Sequence, residues 1–107
     1  MRVGDSLQEL SPRNIFESVV PYINLTHQAG FCHRDLRRAN LVSFNGNVQL
    51  VDYGEAVPVG SDQEVKRGGA REEVLPRSVK EVEEGANYEW TKANDFEMLA
   101  LALLPPN

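Results

Sequence analysis

Three oxygen-bearing side chains stand at intervals that could bring them together: Asp35, Asn40 and Asp52. The first two share the run His33-Arg34-Asp35-Leu36-Arg37-Arg38-Ala39-Asn40, and Asp52 opens Asp52-Tyr53-Gly54 twelve residues beyond Asn40. Two carboxylates and a carboxamide are hard oxygen donors. Magnesium takes few such protein ligands and fills the rest of its shell with water or phosphate oxygens. Taken singly, each residue is as readily a loop cap or a turn former, and only the grouping points to chemistry. His27, Cys32 and His33 lack zinc spacing and are not read as a metal site.

The elements that must position these residues can be read from local pattern. Ser11-Pro12 supplies a capping hydroxyl and a proline at the first helical position. Ile15, Phe16, Val19, Val20, Ile23 and Leu25 then recur at steps of three and four, which predicts a helix over 12–29, stopped by Gly30. Pro21 lies inside it and is expected to kink or split it. Residues 31–40 follow neither helical nor strand period and read as a loop whose polar groups have jobs. Leu41 to Phe44 and Val48 to Val51 flank Asn45-Gly46, the strongest short-range signal for a hairpin, placed at 41–51. Residues 55–87 are mostly polar and read as a long loop with little structure of its own, apart from a helical turn near Val79 to Glu84. Seven acids and five bases between Asp62 and Glu84 make it a solvated, mixed-charge segment. Phe96, Leu99, Ala100, Leu103 and Leu104 mark a last helix over 91–104 that is apolar nearly all round from Met98, hence deeply buried. Tyr88 and Trp90 read as packing residues.

Composition sets the bounds. The chain has 107 residues, 41% of them hydrophobic and 25% charged, with a net charge of −5, which is ordinary globular usage. An acidic chain has no general attraction for nucleic acid or an anionic membrane, so neither is an expected partner. One cysteine excludes an internal disulfide framework. The apolar run Met98 to Leu104 is far short of a membrane span, and no signal-peptide pattern opens the chain. An intracellular, cytoplasmic protein is expected. The sequon Asn24-Leu25-Thr26 is read as chance.

His33-Arg34-Asp35-Leu36-x-x-x-Asn40, an Asn-Gly hairpin and Asp52-Tyr53-Gly54, in that order, resemble the catalytic core of the protein kinase superfamily: a catalytic loop H-R-D-L-x-x-x-N and a metal-binding D-F-G. Tyr53 stands where the family has Phe. The resemblance covers about residues 12–104 and implies an α+β fold, a fragment of the family's larger lobe, with 52–78 as an activation-segment-like loop and 91–104 as the central helix. It implies that Asp35 meets the incoming hydroxyl, that Arg37 faces the transferred phosphate where many members have lysine, and that Asn40 joins the catalytic set. Asn40 and Asp52 would hold Mg2+, and both, with Gly54, would contact ATP. Gly54 would free the backbone to turn away after Asp52. His33 and Arg34 brace the loop, and Arg34 is open to a phosphorylated residue or to a plain carboxylate. Glu73, in Glu73-Val74-Leu75, resembles the end of the activation segment, although Arg71 and Glu72 replace its Ala-Pro. Asp95 resembles the buried aspartate of the central helix that holds the catalytic-loop backbone. The form Asp95-x-x-Met98-Leu99 is similar to divergent fungal and oomycete kinase-like proteins.

The sequence has no G-x-G-x-x-G loop, and neither a V-A-I-K-like lysine nor the glutamate of a partner helix precedes residue 12. The expectation is therefore a Ser/Thr-type protein kinase piece, ATP- and magnesium-dependent in its parent, inactive alone, acting on a protein substrate or held by a covering partner chain. Met98 to Leu104 and one face of residues 15–25 are expected to form a large exposed apolar patch. Two alternatives stand beside it: a non-catalytic kinase-like remnant serving as an interaction module, and a small-molecule kinase of the aminoglycoside phosphotransferase type. The latter usually carries His-Gly-Asp where this chain has His33-Arg34-Asp35.

Overall fold

The computed structural model describes residues 11–44, 47–65, 72 and 74–104. Helix α1 (Pro12–Gln28) begins at Ser11, whose hydroxyl accepts the Asn14 amide at 3.1 Å. Its buried stripe, Ile15, Val19, Ile23 and His27, repeats every four residues, as a docked helix requires. The helix runs unbroken through Pro21, so the expected split does not occur. Pro21 lies on the exposed side, and tertiary packing of the buried stripe outweighs one missing backbone hydrogen bond. Gly30, at φ +95°, takes the left-handed turn after the helix, its amide bonded to the His27 carbonyl at 3.0 Å.

Among the described residues three small antiparallel ladders follow, so the architecture mixes helices with two-stranded sheets, an α+β arrangement. Strand β1 (Phe31–Cys32) pairs with β4 (Val57–Pro58). Strand β2 (Leu41–Phe44) pairs with β3 (Asn47–Leu50) in the register Leu41↔Leu50, and Asn45-Gly46 lie outside the described residues. Strand β5 (Asp62–Glu64) pairs with β6 (Asn87–Glu89). Two sequence expectations change here. Residues 31–40 are not all loop, since they begin with β1 and end in a 3-10 turn over Arg38–Asn40. Residues 55–87 hold more than the expected helical turn, which falls at α2 (Arg77–Lys80), since β4, β5 and the start of β6 also lie there. Strands of two or three residues carry too little periodicity to read, and their partners are distant in sequence.

Helix α3 (Lys92–Leu103) opens with a capping box: the Thr91 hydroxyl accepts the Asn94 amide, and the Asn94 side chain accepts from the Thr91 amide at 2.9 Å. Its buried residues are Asn94, Asp95, Met98, Leu99 and Leu103. Met98, Leu99 and Leu103 close a core with Ile15, Val19 and Ile23 of α1 and with Cys32, Leu36, Leu41, Val48, Leu50, Leu75, Val79 and Trp90. The large exposed apolar patch expected on α1 and α3 is therefore mostly covered: Ile15, Val19, Ile23, Met98, Leu99 and Leu103 are buried, while Leu25 and Leu104 remain exposed. Helix α1 packs on α3 and on β3, and this satisfies faces that the sequence could not pair. No described helix is long and apolar enough to cross a membrane.

Candidate functional site

Asp95 organises the loop between β1 and β2. Its side chain is fully buried. Oδ1 accepts the Arg34 amide at 3.0 Å and the Trp90 indole N–H at 2.9 Å; Oδ2 accepts the His33 amide at 2.9 Å and His27 Nε2 at 2.8 Å. A buried carboxylate persists only when its lone pairs are filled in this way. Two consecutive loop amides thus hang from one side chain on α3. Arg34 takes φ +71° under that restraint, a left-handed conformation unusual for a branched or long residue.

The loop then presents its polar residues together. The buried Asp35 carboxylate is held on both oxygens, Oδ1 by Arg37 Nε at 2.9 Å and Oδ2 by Asn40 Nδ2 at 2.9 Å. Asn40 Nδ2 also donates to the Asp35 carbonyl at 2.8 Å. The amide nitrogen of Asn40 is thereby committed to Asp35, which leaves its carbonyl oxygen as the atom suited to a hard cation. The Val51 amide donates to the main-chain carbonyl of Asn40, not to its side-chain oxygen, at 2.9 Å, extending the β2–β3 ladder by one step and bringing Asp52 beside the loop. Asp52 is exposed, with φ +63°, and its Oδ1 accepts the Gly54 amide at 3.1 Å. Gly54 was expected to supply the unusual backbone, but the left-handed residue is Asp52. A Cβ at Gly54 would stand 3.1 Å from Asp52 Oδ1, so glycine gives this turn room rather than conformational freedom. Among the described residues Arg34 and Asp52 are the non-glycine positions with positive φ, and such strain gathers at functional sites. Oxygen donors from Asp35, Asn40 and Asp52 match the chemistry of magnesium, which prefers oxygen ligands.

His33 ties the two motifs. Its Nδ1 accepts the Asp35 amide at 3.1 Å and its Nε2 donates to the Val51 carbonyl at 3.2 Å, so both bonds together require the neutral ring. Its ring meets Tyr53 edge-on at 4.8 Å. Burial holds its pKa below the ordinary 6.5, against the opposing pull of the Val51 carbonyl. Between that lowered value and 6.5 the unfolded chain binds more protons than the folded one, so stability falls as pH drops through this window. Denaturant midpoints read from pH 7.5 to 4.5 should decline below pH 6.5, and His33→Gln should flatten that part of the profile. An unchanged profile in the variant would rule His33 out as the source.

The remaining sequence candidates are placed as follows. The Arg34 guanidinium reaches away to the carbonyl of Glu55, Gln63 and Tyr88. Glu73 lies outside the described residues. His27 and Trp90 were missed as partners of Asp95. The signal for His27 was a histidine on the apolar stripe of α1, which must find a buried partner; nothing local marked Trp90. The structure also brings His27, Cys32 and Asp95 together, with ligand atoms within 4.8 Å of one another, although His33 is not among them. Burial and the neighbouring Asp95 push the Cys32 thiol up to about 11, and both Asp95 oxygens are occupied by donors. As it stands, the cluster is a buried, hydrogen-bonded brace around Asp95.

No protein-family model matches the chain, and no solved structure matches it. Curated proteins do. The chain is 41% identical over 51 residues to a probable serine/threonine-protein kinase of Dictyostelium discoideum, covering 47% of this chain and 4% of that protein. It is 37% identical over 49 residues to a RIO-type serine/threonine-protein kinase of Haloferax volcanii, 46% of this chain and 17% of the relative. It is 37% identical over 60 residues to mitogen-activated protein kinase kinase kinase 20 of Arabidopsis thaliana, 55% of this chain and 18% of the relative. About half of the chain is therefore similar to protein kinases, and it spans less than a fifth of the length of these relatives.

Proposed function

We propose that this chain carries the lower half of a protein kinase-like site that transfers the γ-phosphoryl group of ATP to a protein hydroxyl, on a fragment of the kinase-like larger lobe. The observation that carries the reading is the Asp35–Asn40 hydrogen bond at 2.9 Å, with Asp52 brought alongside through the Val51–Asn40 backbone bond. Similarity to protein kinases over half of the chain adds support. In this reading Asp35 orients the incoming hydroxyl and accepts its proton, and Arg37 keeps the carboxylate aimed while offering positive charge to the phosphate. Asn40 and Asp52 would hold Mg2+, which supplies charge neutralisation for the nucleotide phosphates when bound. Gly54 keeps the Asp52 turn open beside the nucleotide. Transfer also needs a lysine–glutamate pair above the phosphates. The 107 residues contain no glycine-rich loop or V-A-I-K-like lysine, so the chain by itself should transfer little.

Native material decides between the readings. An antibody to residues 30–60 would capture the species from its own cells, to be weighed and assayed for transfer of labelled γ-phosphate to a mixed Ser/Thr protein acceptor. The expected result is a species heavier than 12.0 kDa whose transfer requires Mg2+ and stops with chelator. A 12.0 kDa species that labels nothing would contradict the enzymatic reading.

That outcome would favour the second reading, a non-catalytic interaction module. It has its own observation: an apolar groove of ≈ 460 Å³ lined by Tyr22, Leu25, Thr26, Ala29, Phe31, Tyr53 and Ala56. Leu25, Phe31 and Tyr53 are large apolar side chains left exposed there, a feature of surfaces that take a partner.

A further inference from the structure

Arg34 is buried, yet its guanidinium bridges three separate stretches of chain. One terminal nitrogen donates to the Glu55 carbonyl at 3.3 Å and to Gln63 Oε1 at 3.4 Å; the other donates to the Tyr88 hydroxyl at 3.1 Å. Glu55 is the third residue after Asp52. Gln63 and Tyr88 come from β5 and β6 and stand directly opposite each other in that ladder. One cross-strand pair therefore aims two neutral acceptors at a single cation. The other side of the guanidinium lies 5.7 Å from the centre of the Trp90 ring, and Tyr88 meets that ring edge-on at 6.3 Å. Trp90 in turn donates to Asp95. The catalytic-type loop, the stretch after Asp52 and the β5–β6 ladder are linked through Arg34.

We infer that Gln63 and Tyr88 form a clamp on Arg34 that fixes the segment 53–59 following Asp52. They are positioning residues, and each contributes a neutral hydrogen-bond acceptor to the guanidinium. The consequence for Asp52 as a metal-holding residue rests on the phosphoryl-transfer reading; the clamp itself rests on geometry alone. The amides that report it are Ala56, bonded to the Tyr53 carbonyl at 3.0 Å, and Val59, bonded to the Gly30 carbonyl at 2.9 Å.

Amide hydrogen exchange on the full 107-residue chain tests the clamp without nucleotide or substrate. Tyr88→Phe keeps the ring and removes one acceptor, and Gln63→Leu keeps the bulk and removes the other. Each should speed exchange at Ala56 and Val59 by about three- to tenfold, the effect of losing one ordinary hydrogen bond. Val19 and Ile23, inside α1, should not change. Gln63→Glu places a carboxylate against the guanidinium and should slow exchange at both reporters, because charge-assisted bonds are stronger. Adding it to Tyr88→Phe should restore their protection. If either acceptor-removing variant leaves Ala56 and Val59 unchanged, or if α1 accelerates equally, the clamp is overturned. Such a failure would leave the phosphoryl-transfer reading standing, and failed transfer would leave the clamp standing.

Discussion

Asp95→Ala should abolish the cooperative thermal transition of the chain. The substitution strands two loop amides and the Trp90 indole N–H in the interior, and removes the partner of His27. Each orphaned buried donor costs about 1–3 kcal/mol. A small domain has only about 5–15 kcal/mol in total. Asp95→Asn should be almost as damaging, since its amide nitrogen would face a donor wherever it turned. Arg13→Ala is the control: its partner Glu17 is one turn away on the exposed side of α1, and such pairs are worth about 0.3–0.5 kcal/mol. Circular dichroism melts should show no sigmoid for the Asp95 variant and a near-native one for Arg13→Ala. Similar melts for the two would mean that the loop is held by something other than Asp95.

Asp35→Asn should lower phosphoryl transfer by the captured native species about 10²- to 10⁴-fold, the range over which a positioned acid–base group acts. The carboxylate is held between Arg37 Nε and Asn40 Nδ2, both at 2.9 Å, so its orientation is set before any substrate arrives. Asparagine keeps the size and one acceptor oxygen and loses the basic site. Its stability penalty should be far smaller than that of Asp95→Ala, so transfer and melting temperature separate. Transfer within about threefold of the original would remove Asp35 from the reaction and leave its hydrogen bonds as loop bracing.

The parts of this arrangement that could be read from sequence are those with a local cause. Ser11-Pro12 and the four-residue apolar stripe mark α1, and β-rich runs around Asn-Gly mark β2 and β3. The resemblance of His33-Arg34-Asp35-Leu36-x-x-x-Asn40 and Asp52-Tyr53-Gly54 to protein kinase motifs singled out the candidate site. Parts that depend on distant partners were not legible. Strands β1, β4, β5 and β6 are two or three residues long and exist because each finds a mate far along the chain. Pro21 looked like a break because its local cost is visible and the packing that outweighs it is not. Tyr88 and Trp90 looked like plain packing residues, although the polar tip of each is what joins Arg34 and Asp95 to the rest. The unusual backbone fell on Asp52 and not on Gly54, because the ladder bond at Val51 and the Asx-type bond to Gly54 fix Asp52 from both sides.

The central claim is that Asp35, Asn40 and Asp52 form one metal-and-phosphate site. Paramagnetic broadening by Mn2+ with ADP, read residue by residue in the amide spectrum of the 107-residue chain, tests it at occupancies too low for calorimetry. The account expects signals of the Asn40 side chain, Asp52, Tyr53 and Gly54 to broaden first, to recover with excess Mg2+, and to stay sharp in Asp52→Ala. Broadening confined to exposed acids such as Glu81, Glu83 and Glu84, with Asn40 and Asp52 untouched, would contradict it.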